Sequence, residues 1–81
     1  MKRTVQVQYF AILRDQRGLA EERLETAAAT AADLYREVSR RHGFTLAVER
    51  LRVALNGDFS TWETPLGDGD TVAFIPPVAG G

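Results

Sequence analysis

The sequence predicts an α+β fold, a mixed β-sheet with one main helix packed across it and a C-terminal tail protruding from it. Three observations predict it. Two-residue alternation of apolar and polar side chains recurs near both ends of the chain, and a single segment between them carries apolar residues at helical spacing. A Pro76-Pro77 step then stops the last strand short of a terminal Gly80-Gly81.

Thr4 to Phe10 alternates, with Val5, Val7 and Tyr9 on one face and Thr4, Gln6 and Gln8 on the other, the pattern of a half-buried strand. Ala11 to Arg17 reads as an irregular or one-turn helical connection ending at Gly18, where a left-handed stop requires no Cβ. Glu21 to Thr26 is a polar second strand at a sheet edge, its charges discouraging unwanted pairing. The helix follows. Thr30 is a natural N-cap with Asp33 three residues on, an aspartate version of the capping box. Ala31, Leu34, Tyr35 and Val38 form its apolar stripe. Arg40, Arg41 and His42 crowd the last turn, where the helix dipole favours cations, and Gly43 supplies the stop. Leu51, Val53 and Leu55 alternate with Arg52 and Ala54 in a third strand, which ends at the tight-turn pair Asn56-Gly57. A short strand lies near Phe59, Pro65 to Asp70 is turn chemistry, and Thr71 to Ile75 is the last strand.

Strand, strand, helix, strand, short strand, strand is the order of the β-grasp, or ubiquitin-like, arrangement. The first and last strands then sit side by side in the middle. Residues 1–75 form one domain and residues 76–81 a flexible tail ending in Gly-Gly. A chain of 81 residues buries only roughly 60–65% of its unfolded surface, so the core is modest. The hydrophobic fraction of 44% against 26% charged is that of a globular chain, not a disordered one.

A formal net charge of −1 speaks against a nucleic-acid module of the basic kind. With no cysteine there is no disulfide framework, thiolate metal site or cysteine nucleophile, which fits a reducing, cytoplasmic setting. The N-terminus opens straight into alternating residues and no run is long enough to cross a bilayer, so neither a leader nor a membrane is expected. Every basic residue lies at or before Arg52, whereas Asp58, Glu63, Asp68 and Asp70 follow it. Either these acids populate turns, or they form an acidic patch around the tail that steers it to a basic cleft.

The tail is the segment with chemistry to explain. A terminal Gly-Gly alone can be a frayed end. Yet an enzyme that activates a carboxylate must bring it to a nucleotide phosphate through a narrow channel, and residues without side chains allow that approach. A Pro-Pro stem holds the glycines clear of the body and reduces the entropy lost on threading. Phe10 and Ile75 are the second candidates. If Val5, Val7 and Tyr9 face the helix, Phe10 faces the open side, and apolar residues on two adjacent central strands make an exposed patch beside the tail. The alternative is that either lies in a second mini-core beneath the Phe59–Pro65 loop. Asp68-Gly69-Asp70 lacks the further ligands of a calcium loop and reads as a turn, so no metal is expected. His42 reads as a helix-end cation or solvent-exposed residue, and Trp62 as a lid on the core. Lys2 is the only lysine.

The run from Leu66 to Gly81, LGDGDTVAFIPPVAGG, resembles the C-terminus of the MoaD-type sulfur carriers, the small subunits of molybdopterin synthase. Tyr9 to Asp15 (YFAILRD) and Val53 to Asn56 (VALN) agree, so the resemblance spans essentially the whole chain. It implies a cycle in which a MoeB-type, E1-like enzyme adenylates the Gly81 carboxylate with ATP and sulfur replaces the adenylate to give a thiocarboxylate. The tail then enters a MoaE-type large subunit, as part of a heterotetramer, and sulfur passes to cyclic pyranopterin monophosphate. The resemblance assigns Gly81 as the sulfur-bearing residue, Gly80, Ala79 and Val78 to threading, and Phe10, Ile75, Pro76 and Pro77 to partner contact. It implies no permanently bound cofactor, ATP being used by the activating enzyme. Related carriers for thiazole synthesis, tRNA thiolation or cysteine synthesis, and ubiquitin-like protein modifiers, share the same end.

Overall fold

The computed structural model describes residues 2–77 of the chain. Strand β1 (Arg3–Tyr9) leads through a short helix α1 (Ile12–Arg17) into β2 (Glu21–Thr26). The main helix α2 (Ala31–His42) is followed by a 3-10 turn at Val48–Arg50, then β3 (Arg52–Leu55), β4 (Asp58–Ser60) and β5 (Thr71–Ile75). The sheet order is β2-β1-β5-β3-β4, with β1 and β5 parallel at the centre and all other pairs antiparallel. The ubiquitin-like arrangement expected from the element order is the one found. No helix among the described residues is long and apolar enough to cross a membrane.

The alternating side chains divide as their spacing predicts. Val5, Val7 and Tyr9 of β1, Val72 and Phe74 of β5 and Val53 of β3 are almost wholly buried against Ala31, Leu34, Tyr35 and Val38 of α2. Thr30 Oγ1 caps α2 by accepting from the Asp33 N–H at 3.2 Å, and Gly43 closes it with φ 71° in the left-handed region. Two further donors at the helix start are satisfied from the long loop before β5. Ala31 N–H donates to Thr64 O at 3.2 Å and Ala32 N–H to Trp62 O at 3.0 Å. The same loop lays Trp62 over the core, stacked 6.0 Å from Phe74 and tilted 5.9 Å from Tyr35, so Trp62 is the lid its position suggested. Because this loop covers the helix side, no mini-core forms beneath it on the open face, where Phe59 remains 68% exposed.

The end of β1 departs from the sequence expectation, whereas the Asn56-Gly57 turn matches it. β1 ends at Tyr9 rather than Phe10, because the backbone turns at Ala11 with φ 53° and ψ −126°. Asn56 and Gly57, at φ 52° and 92°, form the tight connection of β3 to β4, and their left-handed geometry matches the twist of the strands they join.

Candidate functional site

The parallel register sets Tyr9 opposite Phe74, so Phe10 and Ile75, the next residue of each segment, lie at the same pole of the sheet. On the other flank of β5, Ile75 pairs with Arg52, Ala73 with Ala54, and Ala54 with Phe59. Period-two alternation therefore places Ala73, Ile75, Arg52, Ala54 and Phe59 together on the face away from α2. The small side chains of Ala54 and Ala73 leave the centre of that face low. A cleft of ≈ 530 Å³ lies at its tail end, lined by Arg50, Arg52, Phe59, Ile75, Pro76 and Pro77, with Glu49 and Leu51 completing the wall. The Arg52 guanidinium sits 5.8 Å from the centroid of the Phe59 ring.

The structure brings the candidates Ile75, Pro76 and Pro77 into this cleft, while Phe10, 43% exposed, is not among its lining residues. Pro76 itself is buried, so it forms the cleft floor and not a protruding contact. Val78, Ala79, Gly80 and Gly81 lie outside the described residues. Phe59 was legible only as a strand residue. Counting the register through the two-residue Asn56-Gly57 turn would have set it opposite Ala54, on the open face.

Asp58, Asp68 and Asp70 do not form the acidic patch around the tail that the sequence allowed. β5 runs from its acidic turn toward the tail, so Asp68 and Asp70 sit at the far end of the strand. Both carboxylates are engaged there. Asp68 Oδ1 accepts from Thr4 N–H at 2.8 Å, and Asp70 accepts from Gly67 N–H at 2.7 Å and Asn56 Nδ2 at 3.0 Å. Asp58 follows the Asn56-Gly57 turn at that same far end. Asp68 and Asp70 are turn residues and Asp58 opens β4, whereas the tail-pole cleft is lined by Arg50 and Arg52 together with Glu49.

His42 also differs from expectation. Its side chain is only 15% exposed, tilted 5.9 Å from Phe44, with Nε2 3.8 Å from Glu22 Oε2. Desolvation holds its pKa below the usual histidine value, with Arg17 and Arg41 adding to the effect and Glu22 opposing it. Glu22 is the centre of this cluster. It accepts from Tyr9 Oη at 2.7 Å and from Arg17 Nε and Nη2 at 3.0 and 2.8 Å, tying β1, α1 and β2 together. The Arg17 bonds, helped by that of Tyr9, pull the carboxyl pKa down to about 2 against the penalty of burial. Burial and the adjacent carboxylate push the Tyr9 phenol up. The cluster lies on the helix side of the sheet and fastens the fold.

The profile of the ThiS family matches residues 7–81. A curated relative, the molybdopterin synthase sulfur carrier subunit of Haemophilus influenzae, is 35% identical over 78 residues, covering 93% of this chain and 96% of the relative. Among solved structures, molybdopterin converting factor subunit 1 of Pyrococcus furiosus superposes with a TM-score of 0.76 at 32% identity, over 94% of this chain and 99% of that one. One chain of the complex of subunits 1 and 2 of the molybdopterin-converting factor from Helicobacter pylori matches at 28% identity and a TM-score of 0.64, over 96% of this chain and 99% of that one. With a family match over nearly its whole length and the ubiquitin-like sheet beneath it, the chain belongs to the ThiS family.

Proposed function

We propose that this chain is the sulfur carrier subunit of molybdopterin synthase, with Gly81 as the residue that carries the sulfur. The observation that carries the reading is the near full-length likeness to a relative of that name. The docking face at the tail pole agrees with it. In the proposed cycle the Gly81 carboxylate attacks the α-phosphate of ATP on a MoeB-type enzyme, and pyrophosphate leaves. A sulfur nucleophile then adds to the acyl carbon, AMP departs with the bonding electrons, and a thiocarboxylate remains. The chain has no cysteine, so it offers no thiol on which the sulfur could rest instead. A MoaE-type large subunit receives the tail, supplies the substrate pocket and its catalytic groups, and directs the sulfur to cyclic pyranopterin monophosphate.

The geometry of the open face supports a division of labour. The open face with Phe59, Ile75 and Ala73 is apolar and low, suited to partner packing, whereas the cleft cations Arg50 and Arg52 suit an acidic rim on that partner. Gly80 and the small Ala79 and Val78 pass the channel, and Pro77 directs them into it. The test is reconstitution with the large subunit encoded in the same genome. The chain thiocarboxylated at Gly81 converts cyclic pyranopterin monophosphate to molybdopterin, and the variants lacking Gly81 or extended beyond it do not. Full activity of an extended variant shown to remain untrimmed overturns the reading.

A further inference from the structure

The described surface carries one nucleophilic amine side chain, Lys2, the other nine cationic side chains of the sequence being arginine. A guanidinium stays protonated near neutral pH, but a lysine exchanges its proton and can attack an acyl group. Lys2 is free to do so, with a side chain 68% exposed and Nζ no closer than 3.9 Å to Glu25, its ion-pair partner. An activated acyl end and an exposed amine on one chain are a hazard. The nitrogen lone pair adds to the Gly81 acyl carbon, and an amide C–N bond forms. The bond to AMP or to a thiolate breaks with its electron pair, the amine proton passes to solvent, and the chain is closed into a ring.

We propose that the fold prevents this ring closure by holding the chain's only lysine at the pole of the sheet opposite the tail. The inference rests on the reading of Gly81 as an acylating end. Its geometric basis is the parallel pairing of β1 with β5, Gln6 beside Thr71 through to Tyr9 beside Phe74. Lys2 precedes β1, and Pro77 follows β5, so they stand at opposite ends of the same two-strand ribbon. The strand ends Arg3 and Ile75 are seven register steps apart, about 23 Å at a rise of 3.3 Å per residue, and Lys2 and Pro77 lie one and two residues farther out. Pro77 is fixed beyond the strand end, because Pro76 and Pro77 line the cleft with Arg50 and Leu51. The four residues after Pro77 reach at most about 14 Å, and a lysine side chain adds about 6 Å. The sum, about 20 Å, falls short of the span, so the effective concentration of the Lys2 amine at its own Gly81 is low. An antiparallel pairing of these strands would have set the same lysine beside the tail.

Arg50 marks the place where an amine is harmful. It is exposed and lines the cleft beside Pro77, within reach of the last four residues. The test uses the full chain carrying a small-thiol thioester at Gly81, made by intein cleavage, so that neither an activating enzyme nor a sulfur acceptor is needed. The natural chain, Arg50→Lys and Lys2→Arg are incubated at mildly alkaline pH, and mass spectrometry separates cyclic amide from hydrolysed acid. Thermal melts confirm that the three fold alike. Arg50→Lys is expected to cyclise at least about tenfold faster than the natural chain, whose cyclic product does not exceed that of Lys2→Arg. Equal rates for the natural chain and Arg50→Lys, whether both cyclise or neither does, overturn the inference. Such a failure leaves the sulfur-carrier reading untouched, since that reading stands or falls on transfer from the thiocarboxylate.

Discussion

Truncating Phe59 to alanine separates the docking role of the open face from its role in stability. Phe59 is 68% exposed, so of the roughly 200 Å² that a phenylalanine offers, about 130 Å² remains for a partner to cover. At about 25 cal/mol per Å², full coverage is worth at most about 3 kcal/mol. Ordering of the tail and the contacts alanine retains reduce this to about 2 kcal/mol, or a loss of about 30-fold in affinity for the large subunit. Stability changes little. The folded chain forfeits the Arg52–Phe59 contact, worth about 0.5 kcal/mol at an exposed site, and a minor share of burial. Isothermal titration of the natural chain and Phe59→Ala against the large subunit gives the first number, and urea unfolding gives the second. Unchanged affinity with intact folding refutes the docking assignment. Equal losses in both measurements show that Phe59 belongs to the core, contrary to its exposure.

Glu22→Gln should destabilise the fold in a pH-dependent way. The folded carboxyl titrates at about 2 against an ordinary value of 4.5, so its contribution is complete above pH 4.5 and disappears as pH falls through 2. After allowance for solvent, the contribution is about 2 kcal/mol. Urea melts of both proteins at pH 7 and at successively lower pH should converge, and a constant gap down to the acid limit refutes the assignment. Ala11→Gly should raise stability by about 1 kcal/mol, because φ 53° with ψ −126° is a conformation alanine resists and glycine accepts. A lowered melting temperature for that variant contradicts the strained geometry.

Much of the fold was legible because its signals are local. The Thr30 cap, the Ala31–Val38 stripe and the Gly43 stop act within one helix, and the alternation of β1 and β5 acts within each strand. What escaped depends on contacts between distant segments. Asp68 and Asp70 are close to the tail in sequence but a strand's length from it in space, because β5 lies between them. His42 looks like a surface cation when read with Arg40 and Arg41. Only the packing of β2 and Phe44 against the helix end removes it from water. Likewise Arg52 reads only as a polar position of the third strand, and its place in the cleft with Arg50 follows from the pairing that sets Ile75 beside it. The tail assignments to Val78, Ala79, Gly80 and Gly81 rest on chemistry and likeness.

The central claim concerns one atom, the oxygen of the Gly81 carboxylate that sulfur replaces. The direct measurement is the intact and C-terminal peptide mass of the chain after incubation with its activating enzyme, ATP and a sulfur donor. The expected result is a gain equal to the exchange of one oxygen for sulfur, confined to Gly81, dependent on ATP and absent when Gly81 is deleted. An unmodified Gly81 under conditions in which the activating enzyme consumes ATP, or sulfur found elsewhere on the chain, would contradict it.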